Sequence, residues 1–184
     1  MKCLKIFWFV VLLGLCWPLA EVKAAAQLDQ PALTRACEVR ISAKFRQWRI
    51  APVSSDVKEF AKRLNQNPTA VFGDFDGDGR KDAALLIMEG PDGPDANPDY
   101  PRRLEVLHIA VCMNTSSDVK LYVIDKLYCG DGIALSKKGA RYHDFETETE
   151  GTYKLDGVQA YCFEKAGATY EFENGAFRRI VDSD

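Results

Sequence analysis

The densest chemistry in this chain lies at residues 74–82, Asp-Phe-Asp-Gly-Asp-Gly-Arg-Lys-Asp. With Asp74 as the first position, Asp76, Asp78 and Asp82 stand at the third, fifth and ninth, and Gly79 at the sixth. Carboxylates this close repel one another unless a cation neutralises them. Ca²⁺ suits the set, because it takes about six to eight hard oxygen ligands at roughly 2.3–2.6 Å in flexible geometry. Alternation along the loop lets Asp74, Asp76 and Asp78 converge while Phe75 points away. Gly79 permits the sharp turn at the sixth position. The seventh position of such loops contributes a backbone carbonyl, so Arg80 would serve through its carbonyl oxygen with its side chain clear of the ion. Asp82 then closes the site. The competing reading is a metal-free Asp/Gly turn, but a turn is served by one or two such residues rather than an array of aspartates.

An EF-hand is excluded, since it needs a bidentate Glu at position 12 and this chain has Leu85 there. Ala83-Ala84-Leu85-Leu86-Ile87 follows, an apolar run of strand length. With Val71-Phe72-Gly73 in front, the segment from Val71 to Ile87 resembles the FG-GAP (or VCBS) repeat, the calcium-loop unit of integrin alpha-subunit propellers. The resemblance implies side-chain ligation by Asp74, Asp76, Asp78 and Asp82 and carbonyl ligation by Arg80. It covers a small part of the chain and implies no particular activity. No second copy of the loop occurs, and the chain is too short for the several blades of a propeller. The chain is similar instead to short exported bacterial proteins that carry one such loop, a family without an assigned activity.

The N-terminus reads as an export signal. Lys2 and Lys5 form a basic start, Ile6 to Leu15 is apolar, and Ala24-Ala25-Ala26 offers a small-residue cleavage site. The apolar run is shorter than the ~20 residues of a membrane span, and Pro18 interrupts it. Cleavage after Ala26 would leave residues 27–184 as one periplasmic or secreted domain with no stable membrane insertion. Lipidation of Cys16 is the lesser alternative, because Leu15 is large for the position before a lipidated cysteine. The full chain of 184 residues carries a net charge of −3, and the signal removes more Lys than Glu. An acidic chain argues against nucleic acid as a partner. It suits a divalent cation.

Cys37, Cys112, Cys129 and Cys162 follow the signal, an even number in an exported chain, which points to two disulfides. Sequence leaves three pairings open; Cys112–Cys129 with Cys37–Cys162 is favoured. Zinc is disfavoured, as no CxxC pair exists and His108 and His143 stand alone.

The elements that must position the loop are legible as an α+β pattern. Leu33, Cys37, Ile41, Phe45 and Trp48 make one apolar stripe, predicting a helix over 31–48 with Arg35, Arg40, Lys44 and Arg46 on its solvated side. Ser54 or Ser55 caps a second helix over about 56–65. A strand at 69–72 enters the aspartate loop, and 83–88 reads as a central strand covered on both faces. Further strands are predicted at 104–113, 119–128, 140–146, 151–163 (split near Asp156-Gly157), 168–173 and 176–181. Asn174-Gly175 marks a hairpin. The fold expected is N-terminal helices packed on one antiparallel meander of about six to seven strands. Residues 90–101, with Pro91, Pro94, Pro98, Pro101, Gly90 and Gly93, form a long loop and the candidate surface for a protein partner. Its Asp92, Asp95 and Asp99 fit no known cation loop.

No nucleophile elbow, zinc-protease motif or phosphate loop occurs, so the chain reads as no enzyme. His108 belongs to an apolar strand. Glu146, Glu148 and Glu150 share one side if their stretch is extended, an acidic edge open to Lys137 and Lys138. The expectation is an exported protein in which Ca²⁺ pins a structural loop and surface loops bind a partner. The alternatives are a periplasmic inhibitor or immunity-type protein, and, last, a calcium-dependent hydrolase.

Overall fold

The computed structural model describes residues 28–90, 106–124, 127, 130–163 and 165–183. The export signal with Cys16, the loop 91–101 and Cys129 lie outside the described residues.

Helix α1 (Gln30–Lys44) starts where the sequence provides a cap. The Asp29 carboxylate accepts the Ala32 N–H at 2.8 Å, and Pro31 sits in the first turn. Leu33, Cys37 and Ile41 are fully buried along its inner stripe. The helix ends at Lys44 rather than Trp48. Phe45 turns extended, and Trp48–Ile50 becomes strand β1, paired with Ile87–Glu89. Edge hydrogen bonding there wins over a side-chain periodicity that could have continued. Helix α2 (Ser55–Arg63) is capped by Ser54, which accepts the Val57 N–H at 3.3 Å. Its Phe60 meets Tyr161 and Phe163 edge-on at 6.2 and 5.6 Å.

Among the described residues the strands form three antiparallel sheets, not one meander of six or seven strands. The first contains β2 (Ala70–Gly73), β3 (Asp82–Glu89), β4 (Val106–Asn114) and β5 (Val119–Ile124) as well as β1. β4 flanks β3 on one side, while β1 and β2 share its other edge. The second sheet runs β11-β10-β9-β6, from β6 (Gly132–Ser136), β9 (Gly157–Cys162), β10 (Ala166–Glu173) and β11 (Ala176–Ser183). The third is the hairpin of β7 (Arg141–Asp144) and β8 (Thr149–Thr152). It docks on β11, where the Phe145 N–H donates to the Val181 carbonyl at 2.8 Å and Asp144 accepts the Val181 N–H at 3.3 Å.

β3 explains the layering. Its side chains alternate, so Ala83, Leu85 and Ile87 face α1 while Ala84 and Leu86 face the second sheet. β4 repeats the pattern: Ala110 and Cys112 lie on the helix side, Ile109, Val111 and Met113 on the sheet side. Two apolar layers result, one between α1 and the first sheet and one between the two sheets.

A disulfide crosses the first layer, joining Cys37 of α1 to Cys112 of β4 with 5.6 Å between their Cα atoms. This overturns the favoured Cys112–Cys129 and Cys37–Cys162 pairing. Cys37 lies on the buried stripe of α1, and Cys112 points from β4 toward that same stripe. Cys162 is also disulfide-bonded, and its partner lies outside the described residues.

Two further features differ from the expectation and one agrees with it. β6 was unforeseen; its Ile-Ala-Leu run is short and becomes a strand through pairing with β9. Residues 145–148 form the turn of the β7–β8 hairpin, so Glu146, Glu148 and Glu150 do not line one acidic edge. They meet Arg179, His143 and Arg141 respectively, not Lys137 and Lys138. Asn174 and Gly175 take φ of +53° and +87°, and Glu173 faces Ala176 across the two-residue hairpin expected there.

Candidate metal centre

The loop 74–82 is the tip of the β2–β3 hairpin, closed at its base by the pairing of Gly73 with Asp82. Gly77 and Gly79 take φ of +81° and +83°, conformations open to glycine without steric cost. Those two turns curl the backbone so that one carboxylate oxygen each from Asp74, Asp76 and Asp78 falls within 4.8 Å of the others. Two Ca–O bonds of about 2.4 Å placed opposite each other span such a gap. The structure therefore brings together three of the side chains named from the sequence.

Loop N–H groups orient them. Gly77 and Gly79 donate to the two oxygens of Asp74 at 2.9 and 3.1 Å, Asp78 to Asp76 at 3.2 Å, and Arg80 to Asp78 at 2.8 Å. An ionised carboxylate has about four lone-pair sites, so these bonds leave capacity for a cation. The oxygen chemistry and the count of negative charges fit Ca²⁺ or another hard divalent ion.

Arg80 departs from expectation. Its guanidinium does not stand clear: Nη2 donates to the Asp78 carboxylate, and Nε donates to the Asn114 carbonyl at 2.6 Å. One fixed cation thus answers part of the charge of the aspartates. A divalent ion taking Asp78 competes with that guanidinium.

Asp82 is placed differently from the other three. It is fully buried, and its two oxygens accept the Phe75 N–H and the Asn114 N–H, each at 2.8 Å. It ties the start of the loop to the end of β4. Burial pushes its pKa up to about 7, against those two N–H bonds, and the charges of Asp76 and Asp78 push the same way. Burial also raises Asp76, with Asp78 and Asp74 adding like-charge repulsion, opposed by the Asp78 N–H and by Arg80. A bound cation relieves the like-charge part of both effects.

Phe75 points away from the carboxylates, into the layer between the two sheets, and is fully buried there. Asp156, in the β8–β9 connection, was not singled out from the sequence. Its Oδ2 accepts the Asp74 N–H at 3.2 Å and its Oδ1 the Lys138 N–H at 3.0 Å. Burial works against its charge, but these bonds and the nearby Lys137 hold its pKa below the usual carboxylate value. A signal existed in Asp156-Gly157, which reads as a turn, but nothing in the sequence says that this turn touches the loop.

No family model, curated protein or solved structure matches the chain. The likeness to the FG-GAP unit rests on residues 71–87 alone. Among the described residues, no helix is long and apolar enough to cross a membrane.

Proposed function

We propose that this is an exported Ca²⁺-binding protein whose cation fastens the β2–β3 hairpin. Asp74, Asp76, Asp78 and the Arg80 carbonyl supply ligands, and Asp82 is the buried anion that closes the site. The observation that carries the reading is the convergence of three carboxylates within 4.8 Å on a loop rooted in the core by Phe75. A bare turn does not need that convergence. The role is structural rather than enzymatic, and a protein partner is engaged by the loop at 90–101. Export is supported by the N-terminal pattern together with the Cys37–Cys112 disulfide.

Differential scanning fluorimetry with Ca²⁺ and with EGTA tests the reading. A ligand at about 100 times its Kd adds roughly 2.7 kcal/mol of stability. That corresponds to a rise of about 5–11 °C for a domain of this size. Asp76→Ala should abolish the rise. Equal melting temperatures in Ca²⁺ and EGTA, in a protein shown free of metal at the start, would refute a calcium role in folding.

A further inference from the structure

We propose that the Arg80 side chain is a tethered competitor of the cation and sets how tightly the aspartate loop holds Ca²⁺. The proposal rests on the calcium reading above. It gives a second, opposing role to a residue whose carbonyl oxygen is already among the ligands. The three converging carboxylates are not equivalent. Asp74 accepts the Gly77 and Gly79 N–H groups, and Asp76 accepts the Asp78 N–H, all of them neutral donors of the loop. Among the described residues, Asp78 alone of the three makes an ion pair. One of its oxygens takes the Arg80 N–H at 2.8 Å and the other takes the Arg80 guanidinium, so a single residue holds both.

The guanidinium is anchored as well as paired. Its Nε donates to the Asn114 carbonyl at 2.6 Å, at the end of β4. Asn114 is buried, and its own N–H is held by Asp82. The positive charge is therefore pinned to the framework rather than carried on a loose side chain. The Arg80 and Asp78 side chains are still 27% and 25% exposed, so the pair stays open to an ion from solvent. An entering ion must displace a charge-assisted hydrogen bond at Asp78 and then stands beside a fixed like charge. Both effects weaken binding. Lys81 supplies the contrast. It is the next residue, it is exposed, and among the described residues it makes no ion pair. It carries the same charge without the placement.

Isothermal titration calorimetry of the metal-free protein with CaCl₂, at fixed ionic strength, tests this. Arg80→Gln keeps the carbonyl and removes the guanidinium. It should bind Ca²⁺ at least fivefold more tightly than the unaltered protein. Arg80→Lys keeps a cation but lacks the Nε donor, and its affinity should lie between the two. Lys81→Gln should raise affinity less than twofold. The melting temperature in EGTA should fall in Arg80→Gln, because the cluster loses its internal counter-charge, and the rise on saturation with Ca²⁺ should exceed that of the unaltered protein. Equal or weaker Ca²⁺ binding by Arg80→Gln overturns the proposal and leaves the calcium reading standing. Equal gains from Lys81→Gln and Arg80→Gln overturn it too, since net charge alone then accounts for them. Failure of both the unaltered protein and Arg80→Gln to bind Ca²⁺ defeats the calcium reading and this inference with it. If Arg80→Gln does not fold without Ca²⁺, Arg80→Lys decides: an affinity no higher than that of the unaltered protein overturns the proposal.

Discussion

Cutting the Cys37–Cys112 bridge should be among the most costly single changes to this fold. The two cysteines are separated by 75 residues, and that stretch contains β1, α2, β2, the aspartate loop and β3. In the chain-entropy treatment, closing a loop of this length removes about 15 cal/mol/K from the unfolded chain, or about 4.5 kcal/mol at 25 °C. The native layer should survive the loss of the bond, because Leu33, Ile41 and Phe45 still pack on Leu85, Ile87 and Ala110. Cys37→Ala/Cys112→Ala should therefore fold, yet lose about 4–5 kcal/mol, most of it through the unfolded state. Urea unfolding followed by far-ultraviolet circular dichroism reads both parts: the midpoint falls, and the slope rises because the unlinked chain exposes more surface. A loss below about 1.5 kcal/mol with an unchanged slope would refute the loop-entropy reasoning. Non-reducing peptide mapping checks the pairing itself, and a Cys37 peptide joined to Cys162 would contradict the structure.

Asp82 gives a pH signature. Its pKa rises from the ordinary 3.8 to about 7 on folding, so the folded state binds more protons between those values. Its contribution to stability therefore falls as pH rises from about 4 to 7, by at most roughly 1.4 kcal/mol per pH unit. Asp82→Asn should remove that slope, and Ca²⁺ should flatten it in the unaltered protein; identical pH profiles of melting temperature for the two proteins would contradict this. Asp156 has the opposite sign: its pKa is lowered, so its contribution is present above the ordinary carboxylate value and lost in acid. Asp156→Ala should cost about 1–3 kcal/mol at pH 7 by leaving the Asp74 and Lys138 N–H groups without their acceptor, and less at pH 3, as denaturant titration at both pH values would show. Phe75→Ala should cost about 3–5 kcal/mol, as for other fully buried aromatic side chains. It should also weaken Ca²⁺ binding measured by calorimetry, although Phe75 offers no ligand; unchanged affinity in a folded variant would separate the loop from the core.

The sequence made the local chemistry legible and left the long-range arrangement hidden. Ser54 announces its helix because a cap acts within three residues, whereas the Asp29 cap of α1 emerged only with the structure. Asn174-Gly175 announces its hairpin because the positive φ angles are demanded locally. The apolar run at 83–88 is a doubly covered strand, as its composition requires. Where pairing partners decide, the pattern misleads. Trp48 continues a helical stripe yet joins β3, and Ile133-Ala134-Leu135 is too short to declare itself before β9 lies beside it. The split into two facing sheets is equally silent, because Ala84 and Ala83 differ only in which side of β3 they occupy. At the loop, the alternation separated Phe75 from the aspartates correctly. The sequence could not show that the Arg80 guanidinium folds back on Asp78, nor that Asp156 reaches the loop from a distant connection.

On the calcium reading proposed above, the alternation at residues 74–82 would link ion binding to folding. Asp74, Asp76 and Asp78 face one another only while Gly77 and Gly79 hold their turns, Asp82 bridges Phe75 to Asn114, and Phe75 fills the space between the sheets. In the unfolded chain the same aspartates are separated by mobile backbone and form no common centre. A cation that binds them as a group therefore binds the folded form, and its binding free energy appears as stability. The Arg80 guanidinium sets the other end of that balance. It partly neutralises the cluster while no ion is bound, which lets the hairpin close without one, and it must yield Asp78 when an ion enters. On that calcium reading, the loop should fold in either condition and be more stable with the cation than without it. That behaviour would distinguish it from a zinc finger, where the metal is required for folding at all.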